Sequence, residues 1–241
     1  MRFVDLGFHL EYVENEEYVE SVMNLQGCDK KTATQQDYKA HWKQKAFDFD
    51  VQTRCVCALF SRLIGRTKIN GCRKLIIHCV PHIPNDRVFH LDGLYEVRIQ
   101  FNHDDFVSLN DYDKKAMTLE LLMTGLRKTA RCLNWEIEPL EEVYARVKEL
   151  GYVNEWFWNK KARCPRKKYT AQLHIMHGVK QVDISIVLTD KSGAEIKREI
   201  VASGRPDEWF YTPYLGEIKW ADEDTVVLVD RDRKEWFLRV G

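Results

Sequence analysis

No run of apolar residues in this 241-residue chain approaches the ~18 uncharged positions that a membrane-spanning helix needs, so no span is predicted. The first residues also lack the apolar core of a secretory leader, because Asp5 and Glu11 interrupt it, and a cytoplasmic location is expected. There is no low-complexity tract and no internal repeat. There is no net charge either: 37 basic residues balance 37 acidic ones, which argues against a dedicated nucleic-acid binder. The seven cysteines, at 28, 55, 57, 72, 79, 132 and 164, are odd in number and irregular in spacing. Several sit inside apolar runs, where free thiols act as small buried hydrophobes, so no disulfide framework is expected. No Gly-x-Ser-x-Gly, phosphate-cradling loop, dinucleotide fingerprint or His-Glu-x-x-His occurs. Scattered catalytic triads leave no such trace, yet nothing here points to a cofactor, and none is expected.

What is present is clearest in the last third. Tyr169, Ala171, Leu173 and Ile175 alternate with polar residues, and Gly178-Val179 suggests a two-residue hairpin turn with glycine first. Val182, Ile184, Ile186 and Leu188 resume the period of two up to a turn at Asp190-Lys191-Ser192-Gly193. Four further strands follow: Ala194 to Ile200, Tyr214 to Trp220, Thr225 to Val229 and Glu235 to Val240, making six in all over 168–241. Such spacing predicts an antiparallel six-stranded meander.

Residues 1–151 read as mostly helical with a few strands. Residues 3–13 are extended, and Asn15 N-caps a helix with Glu16 and Glu17 in its first turn and Gly27 at its end. A second helix starts near Thr34 with Tyr38, Trp42 and Ala46 on one stripe. Residues 47–64 fit both periods: Phe47, Phe49, Val51, Cys55 and Cys57 alternate, while Val56, Leu59, Phe60 and Leu63 follow a helical repeat. Strands are predicted at 73–80 and 94–101, and helices at 111–133 and at 139–150, the last opened by Pro139 and closed by Gly151. Helices precede strands, so the class is α+β. Residues 152–167 form the best candidate linker, although one continuous domain satisfies the pattern as well.

Charge is segregated. Residues 152–180 hold seven basic residues against one acidic one, between acidic blocks with net charges of −3 (102–151) and −4 (181–241). Within it, Trp156-Phe157-Trp158 precedes Lys160, Lys161, Arg163, Arg166, Lys167 and Lys168, so six of the nine residues 160–168 are cationic. Cations beside aromatic rings suit single-stranded nucleic acid or an acidic protein surface; a solvated linker with core-plugging tryptophans is the plain alternative. The loop 204–213 holds Trp209-Phe210-Tyr211 between Pro206 and Pro213. These rings either protrude as a binding anchor or close the open end of a sheet, and closure is the expected outcome.

Two side-chain constellations are of the types that hold metal ions. Cys55, Cys57, Cys72, His78, Cys79, His82, His90 and His103 are zinc-type donors, but they lack the paired spacing of structural zinc sites, so a metal-free protein is expected. Asp183 or Asp190 with Glu195-Ile196-Lys197 resembles a metal-dependent nuclease set, yet Glu217-Ile218-Lys219 repeats the tripeptide as any alternating solvated strand can. The acidic turns at 103–105, 111–113 and 222–224 lack a calcium loop's glycine and terminal glutamate. The reading expected is a non-enzymatic module that binds an acidic protein surface, of the immunity-type inhibitor or adaptor kind. Its predicted binding residues are Trp156, Trp158, Lys160, Lys161, Arg163, Arg166, Lys167, Trp209, Phe210 and Tyr211. Nucleic-acid binding through 156–168 and metal-dependent hydrolysis are the alternatives.

Overall fold

Alternating Leu6, Phe8 and Leu10 produce strand β1 (Asp5–Leu10), each of them buried while Gly7 and His9 face the other way. The computed structural model describes residues 5–65, 71–83, 85 and 87–240, so Phe3 and Val4 of the predicted extended segment lie outside the described residues. The chain divides into two compact units, Met1–Tyr152 and Val153–Gly241. The class is α+β.

In the first unit, α1 (Glu16–Gln26) is capped as its sequence indicates. Asn15 accepts from the Tyr18 N–H at 3.1 Å, and Gly27 ends the helix in the left-handed region. Helix α2 (Lys30–Asp37) runs into a π turn (Tyr38–Trp42) and then α3 (Lys43–Ile64). Residues 47–64 are therefore helix. Their alternation misleads because α3 is buried on several sides, with Phe49, Val51, Thr53, Cys55, Val56, Cys57, Leu59 and Phe60 all inaccessible, so no polar face reveals the 3.6-residue period. Strands β2 (Lys74–Val80), β3 (Phe89–Leu91) and β4 (Leu94–Gln100) complete a sheet ordered β1-β2-β4-β3, in which β1, β2 and β4 are parallel and β3 is an antiparallel edge. The β3–β4 turn is Asp92-Gly93, both at positive φ, as a two-residue turn of the I′ type requires. Leu75, Ile77, Cys79, Val97 and Ile99 share the buried face with Leu6, Phe8 and Leu10, under α3 and α5 (Asp111–Leu133). The short α4 (His103–Val107) precedes α5, and α6 (Glu138–Glu149) follows it.

The second unit opens with a strand where a linker was predicted: β5 (Asn154–Arg163). Its alternation escapes a sequence reading because a register shift between Phe157 and Lys161 breaks the period, and because the second half is charged. β5 joins β6 (Thr170–His177), β7 (Val182–Thr189) and β8 (Glu195–Gly204) in an antiparallel sheet. The predicted six strands are all present, but they divide after β8. A four-residue helix α7 (Glu208–Tyr211) and a 3₁₀ turn intervene, and β9 (Glu217–Trp220), β10 (Thr225–Val229) and β11 (Glu235–Arg239) form a separate antiparallel sheet. The β6–β7 turn also differs from expectation. Its central pair is Val179-Lys180, Gly178 N–H donates to Gln181 C=O at 2.8 Å, and Gly178 has no positive φ.

Between the two sheets lies one apolar core. Leu173, Ile175, Val182, Ile184, Ile186 and Leu188 meet Ile218, Val226, Leu228 and Leu238, with Tyr211 closing one end.

Candidate functional site

The predicted binding residues fall into three groups. Trp156 and Trp158 point inward and pack on the core between the sheets; the Trp156 ring meets Tyr211 edge-on at 5.4 Å. Lys160 lies 4.8 Å over the Trp158 ring and donates to the Gly216 C=O at 3.0 Å, so it ties the two sheets together. Arg166 pairs with Glu223. Lys167 takes a left-handed backbone in a turn organised by Cys164, whose sulfur accepts from the N–H groups of Lys168 (3.1 Å) and Tyr169 (3.2 Å). Lys161 and Arg163 are exposed, and of the three consecutive aromatics only Phe157 is turned outward. The stacking platform that single-stranded nucleic acid needs is therefore largely consumed by the core.

The outer face of the β5–β8 sheet follows from strand register. Phe157, His174, Ser185 and Ile200 form one cross-strand row; Glu155, Met176, Asp183 and Ser203 form the next. Phe157, Met176 and Ile200 are about half exposed, whereas His174 is buried among them, with Phe157 edge-on to its ring at 4.9 Å. Arg198 donates from Nη1 to His174 Nδ1 at 2.8 Å and grips Glu195 with two further bonds of 2.7 and 2.9 Å. Since a guanidinium can only donate, Nδ1 accepts and the ring proton belongs on Nε2, which faces Glu155 at 3.5 Å. Burial, and then the adjacent Arg198 charge, push the His174 pKa below the ordinary value.

Burial likewise lowers His78 and His103 of the first unit. A histidine whose folded pKa is depressed is neutral in the native state, and the unfolded state takes up protons first as pH falls. Stability from these three groups is thus complete above the unfolded value near 6.5 and declines as pH drops through it toward the lower folded values. The expected result is a falling thermal midpoint between pH 7.5 and 5, a trend weakened in His174→Gln. A midpoint that is flat or rises over that range refutes the assignment.

The loop after β8 gives the third group. Asp207 caps α7 by accepting from the Phe210 N–H at 2.9 Å, and Arg205 pairs with Asp207. Phe210 and Tyr211 pack on the core, and Gly204 is required because any Cβ there would strike the Phe210 ring. Closure of the sheet end is thus the fate of two of the three aromatics. Trp209 has the other: its surface is 84% exposed.

The catalytic constellations do not assemble. Asp183 lies opposite Ser203, whereas Glu195 lies opposite Thr189 at the far end of β7, about 20 Å away at ~3.3 Å per residue. Lys197 donates to the Arg239 C=O at 2.7 Å, and Asp190 organises its own turn by accepting from Ser192 and Ala194. Among the described residues no three His, Cys, Asp or Glu side chains converge as a metal ion would require.

One concave site went unread. Outside the C-terminal ends of β1, β2 and β4 lies a crevice of about 410 Å³ whose lining includes Glu11, Trp42, Lys45, Cys79, His103 and Asp104. In the sequence Cys79 reads as a zinc-type donor, His103 as a zinc-type donor or part of an acidic turn, and Asp104 as a turn residue. The location is where open parallel sheets hold ligands, but the parallel pairing of β1 and β2 has no signature in the sequence. Comparison of the chain with protein-family models, with curated proteins and with solved structures finds no match.

Proposed function

We propose that the protein is a binding module for another protein with an acidic surface, anchored by Trp209 and steered by the outward cations of β5. The observation that supports this most is the contrast within one tripeptide. Phe210 and Tyr211 are locked in the core while Trp209, on the same capped turn, is almost fully presented to solvent. A tryptophan held on a stiff support loses little conformational freedom on binding and buries a large area, which is the character of interface hot spots. Phe157, Met176 and Ile200 add apolar area on the neighbouring sheet face, and Lys161 and Arg163 supply positive charge at its other end. That face extends about 23 Å along β6 at ~3.3 Å per residue, within the span of a standard interface of roughly 800 Å² per partner. An immunity-type inhibitor or adaptor is the kind of protein this reading describes.

The test begins with partner capture from the source cell, followed by kinetics on the purified pair. Trp209→Ser is expected to weaken binding by about tenfold or more through faster dissociation, with an unchanged thermal midpoint. The double variant Lys161→Glu/Arg163→Glu is expected to slow association and flatten its salt dependence. Unchanged kinetics in both variants would refute the reading. So would tight, salt-dependent oligonucleotide binding by the intact chain.

A further inference from the structure

The sheet of the first unit carries an inference independent of that reading. Parallel strands are ordinarily joined by helical crossovers, which cover both faces of the sheet. Here β1 reaches β2 through α1 to α3, but β2 reaches β4 through the antiparallel strand β3, so the second connection adds no layer. Helices α3 and α5 pack on the face of Phe8 and Ile77: the Phe49 ring lies against Phe8, and a Cβ at Gly125 would strike Ile77. The opposite face stays open. His9 and Lys74 are exposed, Glu96 and Arg98 each keep 35% of their side-chain surface, and Phe89 and Leu91 are more than half exposed.

Register fixes what that face presents. Asp5, Lys74, Leu94 and Leu91 form one row across it, Gly7, Ile76, Glu96 and Phe89 the next, and His9, His78 and Arg98 a third. Glu96 and Arg98 therefore project side by side from β4, with Val97 between them turned into the core. Their contacts within the chain are long: Glu96 Oε2 stands 3.5 Å from His78 Nε2, and Arg98 Nε stands 3.5 Å from Glu11 Oε2. Three carboxylates, Asp5, Glu11 and Glu96, against two cations, Lys74 and Arg98, leave the face close to neutral. A surface of one sign, such as the acidic partner proposed above, gains little from it. A copy of the same face matches it.

We propose that a second copy of the chain covers this face, sheet on sheet, about a two-fold axis that crosses the strands at Val97. Such an axis lays β4 antiparallel on the second copy's β4. Glu96 then meets the second copy's Arg98, and Arg98 meets its Glu96, giving two reciprocal ion pairs, while Ile76 comes over the second copy's His78 ring. A two-fold along the strands would instead bring Arg98 toward His78 and seat Glu96 on Ile76, which leaves both charges uncompensated. At the rim Asp5 approaches the second copy's Glu11, and Lys74, 3.1 Å from Asp5, offsets that repulsion. At ordinary strand spacing and rise the face measures about 19 Å by 23 Å. That is the small end of specific interfaces, so a Kd of about 1–100 μM is expected.

Sedimentation velocity of the full chain between about 1 and 200 μM tests this, and a concentration-dependent rise from monomer to dimer is expected. Glu96→Arg and Arg98→Glu each place like charges at both reciprocal contacts. Each is expected to weaken dimerisation at least about tenfold with the thermal midpoint retained. Glu96→Gln, which keeps shape, is expected to weaken it about threefold or more, and serves if a charge reversal fails to fold. An equimolar mixture of Glu96→Arg and Arg98→Glu restores opposite charges at both contacts, so a mixed dimer of wild-type affinity is expected. The proposal is overturned if the chain stays monomeric to about 200 μM, as a face built for a different protein would leave it. It is equally overturned by wild-type dimerisation of any single variant, or by two folded charge-reversal variants that fail to associate when mixed.

Discussion

Phe49→Ala is expected to destabilise the first unit by about 3–5 kcal/mol, the range for truncating a fully buried phenylalanine. Phe49 is 1% exposed, and four other rings converge on it: Phe8 at 5.9 Å, Phe101 at 5.1 Å, Phe106 at 5.0 Å and His103 at 5.9 Å. Those partners come from β1, from the end of β4 and from α4, so one side chain joins the sheet to the helices around the crevice. Removing it leaves a cavity that rigid aromatic neighbours fill poorly, which places the cost toward the upper part of the range. Urea unfolding combined with hydrogen exchange of the α3 amides measures it. A loss below about 1 kcal/mol would mean that the ring cluster collapses freely and is not the hub proposed.

Local chemistry was legible where it acts within a few residues. Asn15 and Gly27 bound α1 because one side chain and one left-handed backbone settle each end. Asn110 does the same for α5, accepting from the Asp113 N–H, and Pro139 sits in the first turn of α6. The C-terminal strands were legible because apolar residues recur with a two-residue period along the core face of β6 and β7. What failed depends on distant partners. α3 reads as a strand in part because tertiary burial erased its polar face. β5 reads as a linker because its bulge breaks the alternation that would have placed Trp156 and Trp158 inside. The division between β8 and β9 depends on which strands find each other across the core, not on any one strand. Asp92-Gly93, flanked by Leu91 and Leu94, is a local hairpin signal of the same kind, and both residues take positive φ.

The same distinction separates the candidate sites. That one of Trp209, Phe210 and Tyr211 would remain outside follows from the geometry of a single helical turn, in which three consecutive side chains cannot all face one core. Which one remains outside is decided by the cap at Asp207 and the gap left by Gly204. The crevice is harder. Glu11, Trp42 with Lys45, and His103 lie on three segments far apart in sequence, and parallel pairing of β1, β2 and β4 sets where the ends of β1 and β4 meet.

Gly216→Ala is expected to cost about 3 kcal/mol, at the upper end of what overpacking a close contact does. Its backbone is not in the left-handed region, so dihedral preference is not the reason. A Cβ at 216 would run into the Val229 carbonyl oxygen, with the Asp230 carbonyl carbon and Cα at 2.8 Å. All three are backbone atoms at the end of β10, so relief requires moving the strand itself, next to the point where Glu217 pairs with Val229. The Gly216 C=O also accepts from Lys160, so a shift there strains the tie between the two sheets. Gly193→Ala is the informative control. Its φ of 88° disfavours an L side chain, but nothing lies within 4 Å of its Cβ position, so conformational strain alone, about 1–2 kcal/mol, is expected. Chemical denaturation of both variants should rank Gly216→Ala as the more damaging. The reverse order would mean that β9 and β10 yield easily at this junction, and that the second unit's core tolerates separation of its sheets.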